Sequence, residues 1–141
     1  MNTMVGAIRI AGCIQLAIIA ANVPLPGKLR VRQHLASSPL FIRQIFYVHW
    51  IYIVLVLGLF SALCLVFPSE FAGGSPLGVF LSAFLAGFWL LRVILQWTYY
   101  DPEVRRANRF LDTLYSFALL GLVAIFSGTA LVGGGYVVHL R

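Results

Sequence analysis

Four long apolar segments constrain this chain more than any other feature of its sequence. They cover about residues 3–23, 42–67, 77–99 and 111–135. Each contains at least the roughly 20 residues that a helix needs to cross a hydrocarbon core about 30 Å thick. The segments therefore predict four transmembrane helices. Because only short connections join them, successive helices are expected to run antiparallel.

The balance of apolar and charged residues supports this interpretation. The chain is 61% hydrophobic and 10% charged, whereas a soluble domain carries about 25% charged residues. A chain of 141 residues with so little polar surface is expected to have a lipid bilayer as its solvent. We predict a single domain over residues 1–141, an all-α integral membrane protein folded as an antiparallel bundle of four transmembrane helices.

Among the connections between these segments, only alternate ones carry positive charge. The basic residues in and beside the first and third connections are Lys28, Arg30, Arg32, Arg43, Arg105, Arg106 and Arg109. The second connection, residues 68–76, has no Lys or Arg. Cytoplasmic loops of membrane proteins carry an excess of basic residues. The pattern predicts a multi-pass protein of the cytoplasmic, or inner, membrane with both termini outside the cytoplasm.

The formal net charge of +6 comes largely from these two connections, so it gives no reason to expect a nucleic-acid partner. Basic residues at a membrane surface attract anionic lipids by about 1 kcal/mol each. Anionic lipids at the cytoplasmic face are therefore expected partners.

Serine–proline pairs mark two helix starts. The pairs are Ser38-Pro39 and Ser75-Pro76. Serine suits the N-cap of a helix and proline suits its first residue, so the pairs predict where the second and third helices begin. An acid, a proline and a second acid at residues 101–103 predict a short cytoplasmic helix at about 102–109.

Proline and glycine indicate where two helices stop. Pro68 is expected to end the second helix, and the three glycines at residues 133–135 are expected to end the fourth. The residues after these glycines are then expected to form an external tail.

Small residues recur at spacings that place them on one face of each helix. In lipid, helices associate through close contact between small residues rather than through hydrophobic burial. The residues expected at helix contacts are Gly58, Ala62, Gly78, Ser82, Ala86, Ala124 and Gly128. Any of these stripes that the bundle itself leaves uncovered would suit a partner protein.

Polar residues inside the apolar segments are the candidate site. A charge such as that of Arg92 costs at least about 2.5–3.5 kcal/mol within a membrane helix. Gln96 follows one turn later, and His49, Asp112 and Tyr115 are expected at similar depth near the cytoplasmic side. The arrangement predicts an Arg92–Asp112 pair whose hydrogen bonds are completed by His49 or Tyr115. Such a cluster would fix helix register, bind an amphipathic ligand or contact another subunit.

The sequence offers little for catalysis. His49 has no second histidine at its depth, which a haem with two histidine ligands would need. No acid lies three or four residues from a histidine, the spacing that would suggest a metal site. Cys13 and Cys64 should differ in depth by about 10 Å, too far for a disulfide, and Gln15 is expected to be isolated. We expect no metal, no cofactor and no catalytic residue, which leans against an enzyme.

Two functions remain open. Small-residue stripes, short loops and the lack of a soluble domain favour an accessory or scaffold subunit of a larger membrane complex. The alternative is a small membrane enzyme or binding protein with an inner-leaflet site for a lipid, quinone or other amphipathic ligand. That site would lie around His49, Arg92, Gln96, Asp112 and Tyr115.

Overall fold

Helices account for nearly all of the structure. The computed structural model describes residues 2–24, 27, 33, 35–99 and 109–139. The helices are α1 (Asn2–Asn22), α2 (Leu40–Val66), α3 (Pro68–Ala72), α4 (Pro76–Thr98) and α5 (Arg109–His139). All but α3 are long and apolar enough to cross a membrane. The predicted fold class, an all-α bundle of four such helices, is confirmed.

The two serine–proline pairs behave differently. Ser75 is the N-cap of α4, and its hydroxyl oxygen accepts a hydrogen bond from the Gly78 N–H at 3.0 Å. At α2 the predicted cap is wrong by one residue, because Pro39 itself is the N-cap and has an extended ψ of 143°. A residue with that backbone geometry lies outside the helix. The predicted helix at 102–109 lies outside the described residues, apart from Arg109, which begins α5.

One predicted helix end is confirmed and one needs correction. The helix α2 ends at Val66, just before Pro68, as predicted, and Pro68 also begins the short helix α3 because its fixed φ suits the first helical residue. The glycines at 133–135 do not end α5, which continues to His139. Gly133 is buried, and a Cβ there would lie 2.8 Å from Val79 Cγ2 on α4. This glycine therefore serves close helix packing and not helix termination.

The long helices form two antiparallel hairpins, α1–α2 and α4–α5. The hairpins meet where α1 packs on α5, so the order around the bundle is α2, α1, α5, α4. The basic end of the bundle is defined here as the end where α1 and α4 finish and α2 and α5 begin. The α3 end is the opposite one.

The seam between α2 and α4 is the loosest of the bundle. No Cα atom of α2 lies within 8 Å of a Cα atom of α4, although both helices are described in full. The ring of Phe60 on α2 bridges the gap, with its centre 6.1 Å from that of Phe84 and 5.2 Å from that of Phe88. Both pairs pack edge to face, a favourable aromatic geometry.

The buried core lies away from the basic end. Its apolar members are Ile8, Ala11, Ile18, Leu57, Cys64, Phe71, Leu85, Trp89, Leu119, Leu122 and Phe126. Phe71 on α3 reaches Phe126 on α5, with ring centres 6.4 Å apart. The short helix α3 therefore fills one end of the bundle, whereas α2 has no buried residue at positions 40–56.

Close contact holds α1 against α2. A Cβ on Gly12 would lie 2.8 Å from Leu65 Cγ, and the Ser61 hydroxyl donates to the Gly12 carbonyl at 2.9 Å. The expectation that Gln15 is isolated is wrong, because it is fully buried and its Nε2 donates to Cys64 Sγ at 3.6 Å. Small residues and buried hydrogen bonds thus act together at this contact.

Replacing Gly12 tests this contact. We expect Gly12→Val to lower the free energy of unfolding by about 1–3 kcal/mol, because the added side chain overlaps Leu65. Gly6→Val, on the same helix with no atom within 4 Å of its Cβ position, is the matched control and should remain close to the parent. The unfolding temperature of each variant is measured with a thiol-reactive dye, which labels the buried Cys64 only when the protein unfolds. Both variants carry Cys13→Ser so that the exposed Cys13 does not react. Equal stability of the two variants would contradict the close packing.

Candidate functional site

A chain of hydrogen bonds joins α4 to α5 near the basic end. Arg92 Nη1 donates to Gln96 Oε1 at 3.0 Å, and Gln96 Nε2 donates to Asp112 Oδ1 at 2.8 Å. The Arg92 guanidinium carbon also lies 5.4 Å from the centre of the Tyr115 ring, within range of a cation–π interaction. We call Arg92, Gln96, Asp112 and Tyr115 the polar cluster.

The central position of Gln96 has a chemical reason. A primary amide has both a donor and an acceptor, so it can accept from a guanidinium and donate to a carboxylate at the same time. Gln96 is buried, whereas Arg92, Asp112 and Tyr115 are half-buried. Charge-assisted hydrogen bonds offset part of the cost of placing ionic groups in lipid. The predicted direct Arg92–Asp112 pair stays a prediction.

Helix geometry brings these side chains together. Arg92 and Gln96 are four residues apart on α4, and Asp112 and Tyr115 are three apart on α5, so each pair shares one helix face. The α4–α5 hairpin is antiparallel, which sets the last turns of α4 beside the first turns of α5. The register of this hairpin places Gln96 opposite Asp112.

His49 lies apart from these hydrogen bonds. Its ring is exposed, and Nδ1 is 2.9 Å from the carbonyl oxygen of Ile45 in its own helix. Phe60 follows eleven residues later, which is about three turns, so the two residues lie within about 20° of the same flank of α2. Because Phe60 faces α4, His49 borders the same seam nearer the basic end.

Between Phe60 and the basic end, no Cα atom of α2 lies within 8 Å of a Cα atom of α4. Ile53 lies seven residues before Phe60, on the same flank of α2, and is 55% exposed. Arg92 lies one turn beyond Phe88, but its guanidinium is turned towards α5, where it lies over the Tyr115 ring. The rings of Phe60, Phe84 and Phe88 therefore make the described side-chain contact across this seam.

The small residues divide into two groups. Gly78 and Ser82 are buried, and Ala86 packs against the core. A Cβ on Gly78 would meet the carbonyl oxygen of Glu70, so α3 approaches α4 closely there.

The second group of small residues turns away from the core. Ala62 and Ala124 are exposed, and a Cβ on Gly58 or Gly128 would meet no atom within 4 Å. Ala124 and Gly128 line a shallow groove of about 230 Å³ between α1 and α5. The groove is otherwise lined by Thr3, Met4, Ala7, Ile125 and Thr129.

Sequence reasoning missed several buried polar side chains. The clearest is Gln15, which shares an i, i+3, i+4, i+7 face with buried residues of α1. That spacing was visible in the sequence, but apolar residues on every side of α1 concealed which face was buried. Within the described part of the chain, Gln15 Oε1, Ser82 Oγ and Trp89 Nε1 are buried without a hydrogen-bond partner.

Comparison with known proteins assigns no activity to this arrangement. No known family, curated protein or solved structure matches the chain. Among the described residues, no three His, Cys, Asp or Glu side chains lie close enough to hold a metal ion. The site must therefore be interpreted from its own geometry.

Removing the bridging amide tests the polar cluster. We expect Gln96→Leu to lower the free energy of unfolding by about 2–3 kcal/mol, because two hydrogen bonds to charged groups are lost. Gln44→Leu, an exposed glutamine on α2, is the control and should change stability much less. Thermal unfolding in detergent measures both. A Gln96→Leu variant as stable as the parent would contradict the bridging role.

Proposed function

We propose that this protein is an accessory or scaffold subunit of a larger membrane complex. The observation that carries the proposal is an extension of α2 beyond the end of α1. Trp50 Nε1 donates to the carbonyl oxygen of Asn22, the last residue of α1, at 3.3 Å. Residues 40–49 therefore extend past the end of α1 by about 15 Å. We call residues 40–49 the α2 overhang.

The overhang exposes several large apolar side chains. Its large exposed apolar residues are Leu40, Phe41, Ile42, Ile45, Phe46 and Val48. The 21 residues of α1 already span about 31 Å, the thickness of a hydrocarbon core. With α1 upright across the hydrocarbon, the overhang would reach the headgroup region, where exposed apolar surface costs roughly 25 cal/mol per Å². Contact with a partner subunit would remove that cost, as for other large exposed apolar patches.

Outward-facing small residues supply further support. Gly58 with Ala62 and Ala124 with Gly128 are pairs spaced four residues apart, and both leave open space on the outside of the bundle. This spacing lets the backbone of a second helix approach closely. In the proposed orientation the termini lie outside the cytoplasm, the overhang points into it, and anionic lipids contact the basic connections.

Gentle detergent extraction followed by native mass measurement tests this function. We expect the parent protein to migrate in an assembly containing other subunits. Replacing Phe41 and Phe46 by Gln should release the 15.6-kDa chain, because the apolar contact of the overhang is weakened. Gln44→Ala, on the same overhang but at a polar position, is the control and should stay assembled. A parent chain that is extracted free of other proteins would contradict the proposal.

A second candidate function is a small membrane enzyme or binding protein with a site for an amphipathic ligand. The polar cluster supports it, because hydrogen-bonded polar groups lie among apolar helix surfaces near the basic end. Arg92 is connected through Gln96 to Asp112, and its guanidinium lies over the Tyr115 ring. Ligand sites commonly combine a mostly apolar lining with a few polar groups that orient the ligand.

A further inference from the structure

We propose that the outward face of α1 binds a transmembrane helix of a partner subunit, and that a carboxylate on this helix pairs with Arg9. The proposal rests on the accessory function proposed above. It adds a contact surface within the membrane and states the chemistry of the partner that this surface fits.

Arg9 places a positive charge on the outside of α1. It lies seven residues after Asn2, the first residue of the helix, and its side chain is exposed. With α1 upright across the hydrocarbon, the Cα atom of Arg9 would lie about 10 Å from the end of the helix. Charged residues within membrane helices are costly and nearly always pair with another group. An anion on a neighbouring molecule would offset this cost.

The described part of the chain supplies no such anion. Among the described residues, none forms a hydrogen bond or an ion pair with the Arg9 side chain. The described acids are Glu70 and Asp112. Asp112 accepts from Gln96 near the basic end, whereas Arg9 lies in the half of α1 nearer the α3 end. Because the whole chain carries a formal net charge of +6, we expect the complementary carboxylate on another protein.

The residues around Arg9 leave room for a second helix. Gly6 lies three residues before Arg9, and Cys13, Ala17 and Ala20 lie four, eight and eleven residues after it, so all five share one face of α1. Cys13, Ala17 and Ala20 are exposed, and a Cβ on Gly6 would meet no atom within 4 Å. Small side chains let the backbone of a second helix approach closely in lipid.

This face suits a helix better than it suits lipid. Ile10 and Leu16 are the large exposed apolar residues of α1, whereas α2 has thirteen. A lipid phosphate at the membrane surface would account for Arg9 alone, because arginine can extend its charged end to the headgroups. A helix with a carboxylate accounts for both the charge and the small residues, which continue over four turns from Gly6 to Ala20.

Cross-linking in vesicles provides the test. The full chain is reconstituted in phosphatidylcholine with a synthetic transmembrane peptide of leucine and alanine. The peptide has glycines on one face, a glutamate about 10 Å from one end, and a cysteine one turn deeper. Cys13 is exposed one turn from Arg9, whereas Cys64 is buried. Oxidation with copper–phenanthroline should therefore join the peptide to Cys13.

The charge of the peptide decides the result. We expect the glutamate peptide to cross-link about tenfold more than the same peptide with glutamine, as for one charge-assisted pair. Arg9→Gln should remove the difference between the two peptides, because the cation is lost.

The matched variants are Gly6→Val and Gly87→Val. A Cβ at either position meets no atom within 4 Å, so both variants should fold like the parent. Gly6 lies on the proposed face, and Gly87 is exposed on α4. Gly6→Val should lower cross-linking of the glutamate peptide to the level of the glutamine peptide, whereas Gly87→Val should cross-link like the parent.

Three outcomes would overturn the proposal. They are equal cross-linking of the two peptides to the parent chain, no cross-linking of either, and a disulfide between the Cys13 thiols of two copies that excess peptide does not suppress. The last result would identify a second copy as the occupant of the face. In each case a parent chain that still migrates in a larger assembly would leave the accessory function standing.

Discussion

Lipid gives helices almost no hydrophobic reason to associate, and this constraint governs the whole structure. Backbone groups in the hydrocarbon must be satisfied within each segment, which leaves helices as the solution for these four segments. Their assembly then depends on steric fit and on a few buried hydrogen bonds. The contact between Gly12 and Leu65, with the bond from Ser61 to the Gly12 carbonyl, shows both effects at one place. Between α2 and α4, where no Cα atoms lie within 8 Å, aromatic side chains make the described contact instead.

The fold class followed from segment length and hydropathy because those properties are averages over about twenty residues. Details that depend on single contacts did not follow. The short helix that begins at Pro68, and the continuation of α5 through its three glycines, were missed for this reason. Glycine lowers helix propensity by about 1 kcal/mol per residue, but the fit of Gly133 against Val79 depends on a neighbouring helix. By contrast, the Ser75 cap is local, and the sequence alone predicted it correctly.

In the candidate site too, local features were predicted from the sequence and contacts between helices were not. The cost of a charge in lipid and a four-residue spacing were enough to single out Arg92 and Gln96 from the sequence. The position of Gln96 between Arg92 and Asp112 depends on the register of the α4–α5 hairpin, which no local pattern encodes. His49 was grouped with these residues by depth. Its ring is instead exposed and lies 2.9 Å from the carbonyl oxygen of Ile45 in its own helix, because a shared depth does not determine which faces of two helices meet.

The position of α3 has a mechanical consequence. Phe71 anchors α3 within the core at one end of the molecule, and the carbonyl of Glu70 meets α4 at Gly78. The short helix α3 thus holds the two hairpins together at that end. Any displacement of α2 relative to α4 must therefore rotate about the α3 end, and its size increases with distance from that end. The displacement would be largest at the basic end and smallest at the α3 end.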